Sequence, residues 1–537
     1  MPVKDANDSE VNSASPATHS ARGETREDYA LRRVPDHYRK SPFSIAMVLS
    51  GAVWSVFSFA LGGQLALAYG IPTTLIALGI GYVVGAALCV MITRLTAANG
   101  LDIDLLSRGL GYGFMGSSMS SLVYGLTFLM YCGFEGAFMA SALHAQWPVV
   151  PLWLLNVIIA AILVPINWYG FKLNDLLQRI TWPLFILGVI MVSYFTFTTN
   201  EPTKPLFEGA VTPNALLAAV AACIPVLTVQ ALLVGDWSRF ARRNDVRKVE
   251  IIASSVALGG VFLVEAPLGA FLAVYAGNAN PGVYAVTGLG TWGMLWVLIT
   301  QLRIQNMNYY SASLAFANFA ARVFRWTPGR QFWVMVVATL TAIAAVSNIL
   351  DNLLSVLTFF GCVLLAWAGT LIAGMFVVKR LQRLSLDAIE YRRGYLTRWG
   401  WSSMTGLLVG SVVGGWLTLA AVPSDVYGPF VGQVTAFLLA GATHIIISGV
   451  TRRRWKLIAR NPAVSWETSP ESPVESGEKV GACAVCRSTF IRTDMLPCPV
   501  VETNVICSVC CGSHTSCKDV CKANPVFLGE PGKGSHV

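Results

Sequence analysis

Apolar runs of roughly 20 residues recur through most of this chain, each long enough to cross the hydrocarbon core of a bilayer. They predict spans over about residues 43–69, 72–95, 114–146, 149–170, 179–198, 212–235, 250–276, 289–318, 331–348, 351–379, 401–421 and 428–450. In lipid, every backbone N–H and C=O must be satisfied within its own segment, so runs of this length read as helices. The expected fold class is an all-α membrane protein of about twelve transmembrane helices. Composition agrees: 12% of the 537 residues are charged, against about 25% in an ordinary soluble chain.

The net charge of +9 would suit nucleic acid if it were clustered, but its placement is topological. Connections such as "GFKLNDLLQR", "DWSRFARRNDVRK" and "KRLQRLSLDAIEYRRGYLTR" are basic, whereas "YGIP", "HAQWPVVP", "AGNANPG" and "VPSDVYGP" have no Lys or Arg. This alternation places both termini in the cytoplasm of a multi-pass protein of the cell membrane, with no nucleic-acid partner. Residues 1–40 are polar, without the apolar core of a signal peptide, and read as a disordered tail. The body is expected over 41–452, a basic and then Pro/Ser/Glu-rich juxtamembrane linker over 453–478, a Cys-rich module over 479–523, and a disordered tail over 524–537.

Receptors and membrane enzymes also cross many times. Interrupted helices with polar groups at mid-depth favour transport. Pro225, inside the sixth span, lacks a backbone donor and is expected to break or kink that helix. The first span has no proline at its middle, only Ser55 and Ser58. No catalytic triad or nucleotide-binding loop is evident, so no enzyme activity is expected.

Several segments resemble the nucleobase–cation symporters, the family of cytosine permeases and hydantoin transporters. They are "VPDHYRKS", "SGAVWSVFSFALGGQL", "GLDIDLLSRGLGYGFMGS", "INWYGFKLNDLLQRITWP", "GDWSRFARRN" and "YYSASLAFAN", spread over about residues 34–450. The resemblance implies a LeuT-like five-plus-five inverted repeat with two additional helices, importing a purine, pyrimidine, hydantoin or allantoin by alternating access. It also implies substrate contacts. The ring-stacking aromatic of the third span falls on Tyr131, and the polar position four residues on falls on Glu135. The contacts in the sixth span fall near Val226 and Leu227, with Gln230 close by. Those two aliphatic residues cannot stack as the family's residues do, and Trp54 and Phe57 in the first span are candidates to replace them. The family's sodium site pairs backbone carbonyls of the first span with two hydroxyl side chains of the eighth. Here the hydroxyl positions carry Arg303 and Ile304, which argues against sodium coupling.

Arg303 lies in "TQLRIQNMNYYSAS" with Gln301, Gln305, Asn306 and Asn308. Intramembrane charge is costly and, by default, functional. Arg cannot be deprotonated in a protein, so a permanent guanidinium, with Ser55 beside it, is expected to replace the sodium ion. Glu135 is its expected partner, or the acceptor of a coupling proton, and the amides suit a planar heterocycle in a cavity. The alternative is a structural hydrogen-bond network between helices. Trp54, Phe57 and Tyr131 have packing as their alternative role. Glu265 is assigned no substrate role and His444 a packing role. Asp236 and Arg239 in "DWSRF" are expected to act as a gate.

The tail holds eight of the 12 cysteines: Cys483, Cys486, Cys498, Cys507, Cys510, Cys511, Cys517 and Cys521. Two C-x-x-C knuckles in a reducing compartment carry metal-ligand spacing. Eight thiolates would close two zinc sites, with His514 a substitute ligand; an iron–sulfur cluster and redox thiols are the alternatives. Cys89, Cys132, Cys223 and Cys362 lie in spans and read as small packing residues. A carrier has no need of such a module. A second reading is therefore a substrate-sensing receptor that signals to a cytoplasmic partner through the metal module.

Overall fold

The computed structural model describes residues 29, 32–168, 171–208, 210–326, 328–384, 386, 389–421, 428–450, 457, 474–475, 478–498, 505–513 and 519–522. Most of the predicted N-terminal tail and linker, and all of 524–537, lie outside them. The chain forms two compact units. One comprises Tyr38–Tyr391 and Leu396–Ile458; the other comprises residues up to His37, Arg392–Tyr395 and everything from Ala459 on.

In the first unit all twelve expected segments are helical. The first span is Pro42–Val53 and Val56–Tyr69, meeting at 57°. The second to sixth are Ile71–Asn99, Ser118–Gln146, Leu152–Trp168, Phe171–Thr199 and Pro213–Ser238. The seventh to twelfth are Arg243–Ala276, Thr291–Val323, Arg330–Val346, Leu353–Leu381, Trp401–Leu419 and Gly428–Val450. Among the described residues, eight helices are long and apolar enough to cross a membrane, and the bent first span makes nine. The fourth and ninth are shorter apolar helices, and the eighth carries the polar run around Arg303.

Two expectations about interruptions are revised. The first span breaks without proline, at Trp54 and Ser55, both extended (ψ 119° and 164°). Ser55 then caps the second half, its hydroxyl accepting the Phe57 N–H at 3.2 Å, as a serine at a helix start should. The sixth span does not break at Pro225; it continues as one helix from Pro213 to Ser238. Pro225 cannot donate to the carbonyl of Ala221, four residues back. The Gln433 side chain of the twelfth span supplies the missing donor at 3.0 Å and also donates to Thr358 O at 3.0 Å.

The seventh span contains two π-helical stretches, Ala253–Leu258 and Gly260–Glu265. Past them it crosses the second half of the first span backbone to backbone: a Cβ on Gly269 would overlap the Phe59 backbone, and one on Gly62 the Ala266 backbone. This contact brings Glu265 to the helix that starts at Ser55.

The second unit holds two small antiparallel sheets. One is β1 (Val474–Glu475), β2 (Glu478–Ala482) and β3 (Thr489–Ile491); the other is β4 (Met495–Pro497) and β5 (Val505–Cys507), followed by a short helix, Ser508–Ser513. Tyr395 sits in its core with Cys483, Met495, Leu496, Ile506, Cys507 and Cys511. Arg392 donates to Met495 O at 2.7 Å, and Arg393 pairs with Asp519 at 3.1 Å.

Candidate functional site

A helix break exposes carbonyls that have lost their partners. At the break in the first span, Trp54 O accepts a hydrogen bond from Arg303 Nη2 at 2.7 Å. The guanidinium also lies over the Phe185 ring, 5.4 Å from its centre, while its Nε and Nη1 have no protein hydrogen-bond partner. Glu135 receives the Gln301 amide and the Ser55 hydroxyl and lies within electrostatic reach of Arg303. Glu265, from the seventh span, faces Ser58, the Ser55 N–H and Arg303. Three charged groups from three spans thus converge on the break. They are shut in: exposure is 0% for Arg303, 1% for Glu135 and 2% for Glu265. The wet cavity expected around them is closed in this structure, although both Glu265 carboxylate oxygens, like Arg303 Nε and Nη1, are buried without a protein hydrogen-bond partner.

The aromatic candidates surround this cluster. Phe57 meets Tyr131 edge-on at 4.8 Å and Phe134 at 5.5 Å. The Trp54 ring lies 6.2 Å from Trp182, and its Nε1 donates to Val256 O at 3.1 Å. Gln305 donates to Cys132 O at 2.8 Å, and Asn306 and Asn308 are buried on the same helix. Gln301 Oε1, Gln305 Oε1, Asn308 Nδ2 and Tyr131 OH are buried without a protein partner. Val226, Leu227 and Gln230 are buried in the sixth span, and none of the described polar or ring contacts joins them to Arg303 or Glu135. Leu227 instead sits close to Gly85 of the second span. An apolar cavity between the second, sixth and tenth spans is lined by Leu88, Met91, Leu95, Leu232 and Trp367, and none of the candidate binding residues borders it. Glu265, a lone intramembrane carboxyl assigned no substrate role from the sequence, lies within electrostatic reach of Arg303.

A second polar cluster gathers where the second, third, sixth and eighth spans end or begin. Arg239 pairs with Asp102 at 2.9 Å, and Asp236 accepts the Tyr124 hydroxyl. Asp104 pairs with Arg322 at 2.8 Å and with Arg108 at 3.2 Å, and accepts Ser121 at 2.9 Å. The third, sixth and eighth spans are thereby tied through the short helix Ile103–Ser107. Burial pushes the Asp102 carboxyl up to about 6; Arg239 opposes the rise, and the Asp104 and Asp236 carboxylates add to it. Burial acts the same way on Asp104, but Arg322 and Arg108 together outweigh it and hold that carboxyl down at about 2. Arg39, from "VPDHYRKS", donates to Ala97 O at 2.6 Å and Ala241 O at 2.9 Å, clamping the ends of the second and sixth spans. His444 is buried against Ser403, 3.2 Å away.

In the second unit, Cys483, Cys486, Cys507 and Cys510 bring their sulfurs within 4.8 Å of one another. The knuckle after β2 turns through Arg487 in the left-handed region (φ 59°). Cys507 N–H donates to Cys483 Sγ and Cys510 N–H to Cys507 Sγ, each at 3.3 Å. Four thiolates at 2.3 Å from a tetrahedral ion would lie about 3.8 Å apart, and Cys486 and Cys507 are already at 4.0 Å. The group can hold a metal ion. Among the described residues, Cys498, Cys511 and Cys521 lie outside this four-sulfur group. Cys511 is buried with Tyr395, and Cys521 lies 4.0 Å from Gly394 O. Cys517 and His514 lie outside the described residues. Cys89, Cys132, Cys223 and Cys362 are buried in the spans.

The structure resembles Mhp1 in an inward-facing conformation, with a TM-score of 0.60 at 18% identity, covering 78% of this chain and 93% of that one. It also resembles Mhp1, a nucleobase-cation-symport-1 family transporter, closed around bromovinylhydantoin (0.53, 16%, 78% and 96%). A sodium-coupled sialic acid symporter in its substrate-bound outward-open state is similar too (0.51, 13%, 78% and 92%). These likenesses show the fold: an all-α membrane protein with the LeuT-like inverted repeat. No curated protein matches the sequence. Residues 33–442 match the family described as permeases for cytosine/purines, uracil, thiamine and allantoin, and the chain belongs to that family of membrane transporters.

Proposed function

We propose that this chain imports a nucleobase-like heterocycle across the cell membrane by alternating access, without a sodium ion, and with both termini in the cytoplasm. The observation that carries the reading is the Arg303–Trp54 O hydrogen bond. A guanidinium occupies the carbonyl freed by the broken first helix, where a metal cation would otherwise find an oxygen ligand. Gln301, Gln305, Asn308 and Tyr131 each hold a buried polar atom without a protein partner, and together they suit the mixed donors and acceptors of a planar ring. Phe57, Tyr131 and Trp54 supply the aromatic faces. Asp236 and Arg239, with Asp102, form the gate. Cys483, Cys486, Cys507 and Cys510 hold a structural zinc ion.

Uptake of labelled cytosine, uracil, adenine, hydantoin, allantoin and thiamine into proteoliposomes, in sodium and in choline buffer, tests this. Saturable uptake of at least one, equal in both buffers, is expected. Strict sodium dependence that Arg303→Ser leaves unchanged would overturn the built-in cation, and no uptake of any would overturn the substrate class.

A further inference from the structure

The cluster at the helix break has an odd charge count. Arg303 brings one permanent positive charge, and Glu135 and Glu265 bring two carboxyl groups, all three buried. Fully ionised, the group would carry one uncompensated negative charge. The effective penalty for each ion taken out of water is several kcal/mol, and a partner is needed to offset it. One more positive charge neutralises the group. A metal cation would need a shell of oxygen ligands, and the carbonyl at the break already accepts Arg303 at 2.7 Å. A proton needs one carboxyl oxygen.

The surroundings suit two carboxyls that differ by one proton. Glu135 is given the Gln301 amide and the Ser55 hydroxyl. Glu265 faces Ser58 and the Ser55 N–H. The other titratable and charged groups facing the pair are Arg303 from the eighth span and Tyr131 and Cys132 from the third; the first span contributes only hydroxyl and backbone groups. Ser55 lies within electrostatic reach of both carboxyls, which places the break in the first span beside the pair. Any hinge motion at Trp54 and Ser55 changes the donors that both carboxyls see.

We propose that Glu265 is a working member of the transport site, and that it and Glu135 hold one exchangeable proton between them that moves with the substrate. This rests on the reading of the cluster as part of the transport site. The proton is taken from water on one side as an O–H on a carboxyl oxygen and returned to water on the other. No other bond is made or broken.

The test counts protonated carboxyls in the reconstituted full chain by infrared pH-difference spectroscopy in sodium-free buffer, without substrate. Beside the bands of the Asp102–Asp236 cluster, assigned separately with Asp102→Asn and Asp236→Asn, the wild type should show one further titrating carboxylic C=O band. Glu265→Gln and Glu135→Gln should each abolish it, since one carboxylate then balances one guanidinium. Arg303→Gln should show two such bands. Glu265→Asp, which keeps the charge, should retain a shifted band and guards against variants that misfold. No further band in the wild type, a further band undiminished in both glutamine variants, or one removed by sodium chloride at constant pH would overturn the proposal. Because no substrate is used, failure here is distinct from failure of the uptake assay.

Discussion

Arg303 and Trp54 lie 249 positions apart in sequence, yet the guanidinium of one closes on the carbonyl of the other at 2.7 Å. The bond joins the eighth span to the first at the point where the first loses its helical hydrogen bonds. It also fixes the guanidinium between two carboxyls that would otherwise face each other in a medium of low dielectric.

Removing Arg303 should therefore cost more than one hydrogen bond. Arg303→Ala leaves two buried carboxyls and a helix-end carbonyl without their cation, and breaking a buried pair in this way costs about 3–5 kcal/mol. A lowered Tm in detergent is expected, with only partial recovery in Arg303→Lys, whose point charge lacks the planar fork. A Tm equal to wild type in the alanine variant would mean the guanidinium is solvated elsewhere.

Gln433 should be coupled to Pro225. Gln433→Leu leaves Ala221 O without a donor, at about 1–3 kcal/mol for a buried group left unsatisfied, whereas Thr358 O keeps its place in the helical ladder of Leu353–Ala373. In Pro225→Ala the restored N–H can reach Ala221 O, so the same Gln433 change should cost less in that background. A double-mutant cycle on Tm checks it, and strict additivity would refute the link.

Asp102 sets a pH step in the cluster at the span ends. Its folded carboxyl, at about 6, binds a proton more tightly than the unfolded one. This group therefore adds to stability as pH falls through about 6, while its bridge to Arg239 loses charge. Asp102→Asn should be more stable than wild type above pH 6, with the gap closing as pH falls from 6 to about 4 and gone below that, by Tm against pH. Asp104 runs the other way: held at about 2, it contributes stability above the ordinary carboxyl range that is lost as pH falls toward 2.

One metal ion per chain is expected in the second unit. Elemental analysis of the full protein should give a single equivalent, lost in Cys507→Ser and kept in Cys498→Ser and Cys521→Ser. Two equivalents would bring the remaining cysteines back as ligands.

The spans were legible because their length and hydropathy follow directly from bilayer thickness, and the family motifs located the polar residues of the third and eighth spans. What sequence could not give was the location of the helix breaks. Pro225 is the obvious breaker, yet a side chain 208 positions later in the chain supplies the missing donor. Ser55 looks ordinary until the eighth span brings a cation to the carbonyl beside it. Glu265 was noted as an intramembrane carboxyl but given no partner, because its reach to Arg303 depends on Gly62 and Gly269 letting two backbones touch. The cysteines divided for a similar reason: spacing counts thiols, whereas packing against Tyr395 and Gly394 places Cys511 and Cys521 outside the four-sulfur group.

Four residues, Arg392–Tyr395, complete the interior of the Cys-rich unit although they are encoded between the tenth and eleventh spans. Truncating the chain after the twelfth span is therefore not a clean excision. It would strip the cover from Tyr395 and leave an apolar stub in a connecting loop, so a loss of uptake in such a truncation would report a damaged loop as readily as a missing metal.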